Sequence, residues 1–143
     1  MSATRHYGNF INSWPWEWFP TLTFREPVSL DVARRQLLHW NRDLCKTEGI
    51  QTAFIAVLND TNFTPHWHLL MFGKNRHGKT LQDISTGKWE RKWPGIARIE
   101  IVRDNQAVSK YLARNITFWD SDNYDLITCN QKLLMKEAAG EKS

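Results

Sequence analysis

Apolar and polar positions alternate from Phe19 to Phe24, with Leu22 and Phe24 on one side and Thr21 and Thr23 on the other, which predicts a strand. Pro27 and Ser29 then open a helix whose apolar positions Leu30, Ala33, Leu37, Trp40 and Leu44 recur at steps of three and four, and Gly49 ends it. The stretch from Gln51 to Leu58 is apolar on both faces and reads as a central strand. Asn59 to Pro65 has the composition of a turn, so His66 to Phe72 runs back as the second arm of a hairpin. Residues 73–95 are basic and weakly periodic, with room for one short helix. Ile96 to Val102 alternates again, Ala97, Ile99 and Ile101 facing inward against Arg98 and Glu100 outward. Asp104 can cap a last helix through Ile116, with Val108, Leu112 and Ile116 as its apolar stripe.

Strand, helix, hairpin, variable connection, strand, helix is the order of an α+β domain, a central antiparallel sheet of about four to five strands with helices packed on it. The polar, then Trp-rich and proline-broken residues 1–17 are expected to form an extension, residues 18–120 the domain, and residues 121–143 a partly disordered tail.

Composition narrows the class. A chain of 143 residues has room for one core. No apolar stretch approaches a membrane span and the N-terminus has no signal-peptide pattern, so a cytoplasmic rather than secreted or membrane protein is expected. Cys45 and Cys129 are far apart in sequence and form no CxxC, which suits reduced thiols. The net charge of +4 suggests an anionic partner, and eight tryptophans suit a surface that stacks bases beside phosphates. Trp14 and Trp16 are the candidates for that stacking.

The densest chemistry lies in Pro65-His66-Trp67-His68, at the head of the apolar run Leu69-Leu70-Met71-Phe72. On a strand His66 and His68 project together while Trp67 points the other way, so the two imidazoles make half of a divalent-metal site. A simpler reading makes them packed histidines of a non-catalytic nucleic-acid-binding protein. Tyrosine is scarce, at positions 7, 111 and 124, and only Tyr111 falls on a predicted helix, at the flank of its apolar stripe. There a ring can pack while its hydroxyl reaches out.

Three segments together resemble the HUH endonucleases, and among them the rolling-circle replication initiators of plasmids and small viruses. Phe19-Pro20-Thr21-Leu22-Thr23-Phe24 is similar to their first-strand motif FTLT, His66-Trp67-His68 to their His-hydrophobic-His motif, and Lys110-Tyr111-Leu112-Ala113-Arg114 to their YxxK motif, with arginine in place of lysine. The order matches, and the resemblance spans about residues 18–118. It implies an RRM- or ferredoxin-like nuclease fold, single-stranded DNA at a replication origin as substrate, Tyr111 as nucleophile with Arg114 and Lys110 beside it, and a divalent metal, Mn²⁺ or Mg²⁺, on His66 and His68. Imidazole ligands would favour manganese. The family's third ligand, often a glutamate about eight residues before the histidines, has no counterpart here; Asn59 and Asp60 end that strand instead. Without an ATPase domain, such a protein would borrow a helicase and a polymerase from its host or element. A transposase or relaxase of the same superfamily would use the same site.

A competing motif follows at once. Gly73-Lys74-Asn75-Arg76-His77-Gly78-Lys79-Thr80 matches GxxxxGK[ST] in full, directly after a strand. A P-loop nucleotide hydrolase would place it after the first strand of a parallel sheet, with several βα units to follow, and only one further strand is evident. The expected use of Lys74, Arg76 and Lys79 is therefore contact with DNA phosphates.

Overall fold

The computed structural model describes residues 8–9, 11–59, 65–118 and 124–129, with residues 115–118 and 124–129 described by their backbone alone. Five strands, β1 (Trp18–Thr23), β2 (Gln51–Asn59), β3 (His66–Lys74), β4 (Ile96–Ile101) and β5 (Tyr124–Cys129), form one sheet in the order β4-β1-β3-β2-β5. Every neighbouring pair is antiparallel. Helix α1 (Leu30–Glu48) follows β1, the short α2 (Thr86–Glu90) precedes β4, and α3 (Asn105–Phe118) follows it. This is the expected α+β architecture. No helix among the described residues is long and apolar enough to cross a membrane.

Local chemistry explains the helix limits. The Ser29 hydroxyl accepts from the Val32 N–H at 3.2 Å to cap α1, and Gly49 ends it at a positive φ of 63°, where a side chain would be strained. Asp104 caps α3 through the Ala107 N–H at 3.1 Å. Both caps fall where the sequence places them.

The sheet has a core on each face. On one, α1 lays Ala33, Leu37, Trp40 and Leu44 over Leu22, Trp67, Leu69 and Met71. The Trp67 indole N–H donates to the Ala33 carbonyl at 3.1 Å, tying β3 to α1. On the other face, Leu112 and Ala113 of α3 pack with Ile55, Val57, Leu70 and Phe72, and the segment before β1 contributes Ile11, Trp14 and Trp16.

Two expected boundaries are corrected, the first by that second core and the second by strand pairing. Residues 11–17 are part of the domain rather than an extension: the Glu17 N–H donates to the Met71 carbonyl at 2.8 Å, and Trp16 N–H to Asn105 Oδ1 at 2.8 Å. At the other end, β5 lies within the expected tail and pairs with β2 from Asn59↔Tyr124 to Phe54↔Cys129. The rest of that expected tail, residues 121–123 and 130–143, lies outside the described residues.

Candidate active site

β3 places its histidines at the start of the strand, on the face that carries α3. Their ring centroids are 4.6 Å apart and nearly perpendicular. Trp67 points into the opposite core, as strand alternation requires. Cross-strand register surrounds the pair. His66 lies opposite Thr23 of β1 and Asn59 of β2, and His68 opposite Thr21 and Val57.

Helix α3 brings the tyrosine. Leu112 and Ala113 are buried against the sheet, which turns Tyr111 toward β1 and β3 at the margin of the helix. Its ring centroid is 5.8 Å from that of His68 and 5.4 Å from that of Phe19, edge-on to both. Tyr111 stays 42% exposed, so a ligand can reach it. Elements about forty residues apart in sequence thus converge on one patch.

Burial tunes His68. It is 8% exposed, and desolvation, followed by the neighbouring His66, pushes its pKa down to about 4. The ring is therefore neutral near pH 7, the form that offers a nitrogen lone pair. Its Nδ1 is buried without a hydrogen-bond partner among the described residues. An orphaned buried nitrogen costs about 1–3 kcal/mol, and a bound cation that fixes the ring is one way to offset it. These donors fit a divalent ion held by His66 and His68, with the Asn59 amide across the strand as a third ligand. Asn59 is buried on that face. Asp60, the alternative third ligand, lies outside the described residues. Among the described residues no group of three or more His, Cys, Asp or Glu side chains is placed to hold a metal.

The two basic residues beside the tyrosine differ. Arg114 is exposed one helical turn beyond it. Lys110 is rotated about 100° around the helix from Tyr111 and does not share its side. A Cβ added at Gly8 would lie 3.6 Å from Lys110 Cγ, so the chain before β1 runs over its stem.

The remaining expected sites lie elsewhere. Trp14 and Trp16 are buried; their ring centroids are 6.0 Å apart, and Trp16 packs on Phe72 at 5.5 Å. Their faces are spent on the second core rather than offered to bases. The other tryptophans of the described residues have the same destination: Trp18, Trp40, Trp67, Trp89 and Trp93 are buried too.

Lys74, Arg76 and Lys79 sit at the far end of β3, about 20 Å along the strand from His68 at 3.3 Å per residue. The Gly73–Thr80 segment is a tight reversal, not a phosphate cradle. Lys74 bridges back to Thr80, Asn75 Oδ1 accepts the N–H groups of His77 and Lys79 at 2.8 and 2.9 Å, and Gly78 adopts a φ of 84°. The amides a P-loop would turn toward phosphate are used within the turn. A three-residue 3-10 turn (Leu81–Asp83) follows in place of a long helix, and the sheet is antiparallel. The segment therefore lacks the geometry of a P-loop. Lys79 Nζ instead lies 3.5 Å from Glu48 Oε1 and 3.3 Å from the Glu48 carbonyl. Burial would raise the Glu48 pKa, but the Lys88 hydrogen bond and the charges of Lys79 and Lys88 outweigh it and hold the carboxyl below its ordinary value. Lys74 and Arg76 are exposed and free of that pairing.

Two functional neighbours escaped the sequence reading. Phe19 supports the Tyr111 ring, a role its parity with Thr21 and Thr23 could have indicated. Glu17 anchors the loop end, its buried carboxylate accepting from the Gly73 and Gln82 N–H groups at 3.0 Å each. A single acid between two tryptophans carries no such signal.

Compared with protein-family models, with curated proteins and with solved structures, the chain gives no match.

Proposed function

We propose that the protein is a divalent-metal-dependent tyrosine nuclease that nicks and rejoins single-stranded DNA, and that it initiates rolling-circle replication. The observation that carries this reading is the 5.8 Å approach of the Tyr111 ring to that of His68, itself 4.6 Å from the His66 ring, on one face of the sheet. A nucleophile beside a pair of imidazole donors is what phosphoryl transfer through a covalent intermediate needs.

The Tyr111 oxygen attacks phosphorus and gives up its proton; the bond from phosphorus to the 3′ oxygen breaks, and that oxygen takes up a proton. The products are a 5′-phosphotyrosine and a free 3′-OH. Mn²⁺ or Mg²⁺ bound by His66, His68 and Asn59 would supply Lewis-acid stabilisation of the charge on the non-bridging oxygens. Phe19 holds the tyrosine ring, and the exposed Arg114 guanidinium would contact a neighbouring phosphate. Because the phosphotyrosine keeps the bond energy, a later 3′-OH can reseal the strand without ATP. The released 3′-OH is a primer, so a polymerase and a helicase of the host or element are the partners this chemistry calls for.

The test is nicking of end-labelled single-stranded DNA in Mn²⁺. Wild type should cut, and His66→Ala, His68→Ala and excess chelator should each remove most of the cutting. Full cutting in excess chelator would make the histidines structural and end the metal reading.

A further inference from the structure

Strand β4 forms one edge of the sheet, and among the described residues no strand lies beyond it. An open edge is a template for another strand unless it is blunted. β4 carries two of the exposed large hydrophobics of the described residues, Ile96 at 63% and Ile101 at 45% exposure. They lie on opposite faces of the sheet, so no single helix could cover both.

The direction of the backbone groups is fixed by what already binds them. The Val102 N–H donates inward to the Glu17 carbonyl at 2.9 Å. The Ile99 N–H points outward, where Glu90 Oε1 accepts it at 3.3 Å. By strand alternation the groups of Ala97, Ile99 and Ile101 face away from β1.

We propose that this edge pairs with β4 of a second copy of the chain, antiparallel about a two-fold axis at Ile99, giving one continuous ten-stranded sheet. In that register Ile99 meets the partner's Ile99 and Ala97 meets the partner's Ile101, and these are the hydrogen-bonded pairs. Arg98 meets the partner's Glu100 in a non-hydrogen-bonded pair, where side chains come closest. Ile96 meets the partner's Val102. Every position finds a matching one: apolar opposite apolar, positive opposite negative, with both exposed isoleucines covered. Within one chain Arg98 and Glu100 are only loosely paired, at 3.8 Å with side chains 80% and 60% exposed, so both are available to a partner. A shift by one residue would set Arg98 against an isoleucine and lose this match. Glu90 must release Ile99, which makes it a brake on pairing.

The assembly would put both Tyr111 patches on the same side of the joined sheet, with their β3 strands about 24 Å apart at 4.8 Å per strand. The inference stands on the edge alone and does not depend on the nuclease reading.

Sedimentation equilibrium of the full chain at micromolar concentrations tests it. Wild type should dimerise, and Arg98→Glu and Glu100→Arg should each weaken self-association about tenfold or more, because two attractive pairs become repulsive. An equimolar mixture of the two variants should form a heterodimer, since every Glu then faces an Arg. Glu90→Ala should tighten the wild-type dimer. Circular dichroism of these surface variants should match wild type. A monomeric wild type, a dimer indifferent to both reversals, capture of the edge by another segment of the chain, or no heterodimer in the mixture would overturn the proposal.

Discussion

The two ends of β3 make opposite use of similar promise. At the start of the strand a three-residue motif, His66-Trp67-His68, is joined by Asn59 from β2 and Tyr111 from α3, so four side chains from three elements meet on one face. At its end the eight residues Gly73–Thr80 match their pattern completely, yet their amides close a turn on Asn75 and their lysine pairs with Glu48. The longer match therefore carries less chemistry. A phosphate cradle depends on backbone direction and on the helix that follows, which residue identities alone do not supply. A strand His-x-His needs only alternation, which the chain has in any strand.

If this contrast holds, damage at either end should read out differently. The largest expected effect concerns the support shared by both ends. Trp16→Ala should cost about 3–5 kcal/mol in urea unfolding, because the ring fills the second core beneath α3 and against Phe72. A loss below about 1 kcal/mol would mean that the ring is not a core residue and would return it to the candidates for base stacking.

Next comes the pH dependence of the histidine end. His68 resists protonation in the fold, with a pKa of about 4 against an ordinary 6.5, so the unfolded chain binds the proton more readily. This contribution is fully present above pH 6.5 and is lost as pH falls toward 4, by about 3 kcal/mol in all. Urea midpoints measured in chelator at pH 7 and pH 4.5 should show a steep fall in wild type and a shallower one in His68→Phe. Equal slopes would place His68 in a wet environment.

At the loop end, Glu17→Gln should cost about 1–3 kcal/mol, since an amide can accept from only one of the Gly73 and Gln82 N–H groups. Nicking at saturating DNA should persist, about 20 Å away along β3. Loss of nicking in a stable Glu17→Gln protein would couple the two ends. The smallest effect belongs to Lys79→Ala, under about 1 kcal/mol for a half-exposed ion pair. In DNA binding, Lys74→Ala should lower the salt slope by about one unit, and Lys79→Ala by less, because Glu48 already holds that amine.

The sequence was most legible where local and global signals agree. Helix α1 combines a Ser29 cap, a 3.6-residue stripe and a Gly49 stop, and the structure differs only in leaving Leu30 exposed. The hairpin β2–β3 was visible as two apolar runs around a turn. β5 was not, because Tyr124–Cys129 is a six-residue strand behind an Asp- and Asn-rich stretch, with no room for a clear period. Trp14 and Trp16 were misplaced for a different reason. A tryptophan beside proline in a polar segment has the same local sequence whether its ring meets a base or a core, and only the space left between α3 and β3 decides. His66, His68 and Tyr111 were legible as residues, while their approach depends on Leu112 and Ala113 fixing the rotation of α3.

The most direct test compares the two ends in one experiment. Wild type, Tyr111→Phe and Lys79→Ala are incubated with labelled single-stranded DNA and Mn²⁺, and covalent adducts are digested and mapped by mass spectrometry. Wild type and Lys79→Ala should form an adduct on the peptide containing Tyr111, and Tyr111→Phe should form none while binding DNA within about twofold of wild type. An adduct that persists in Tyr111→Phe, or that maps to Tyr7 or Tyr124, would contradict the account.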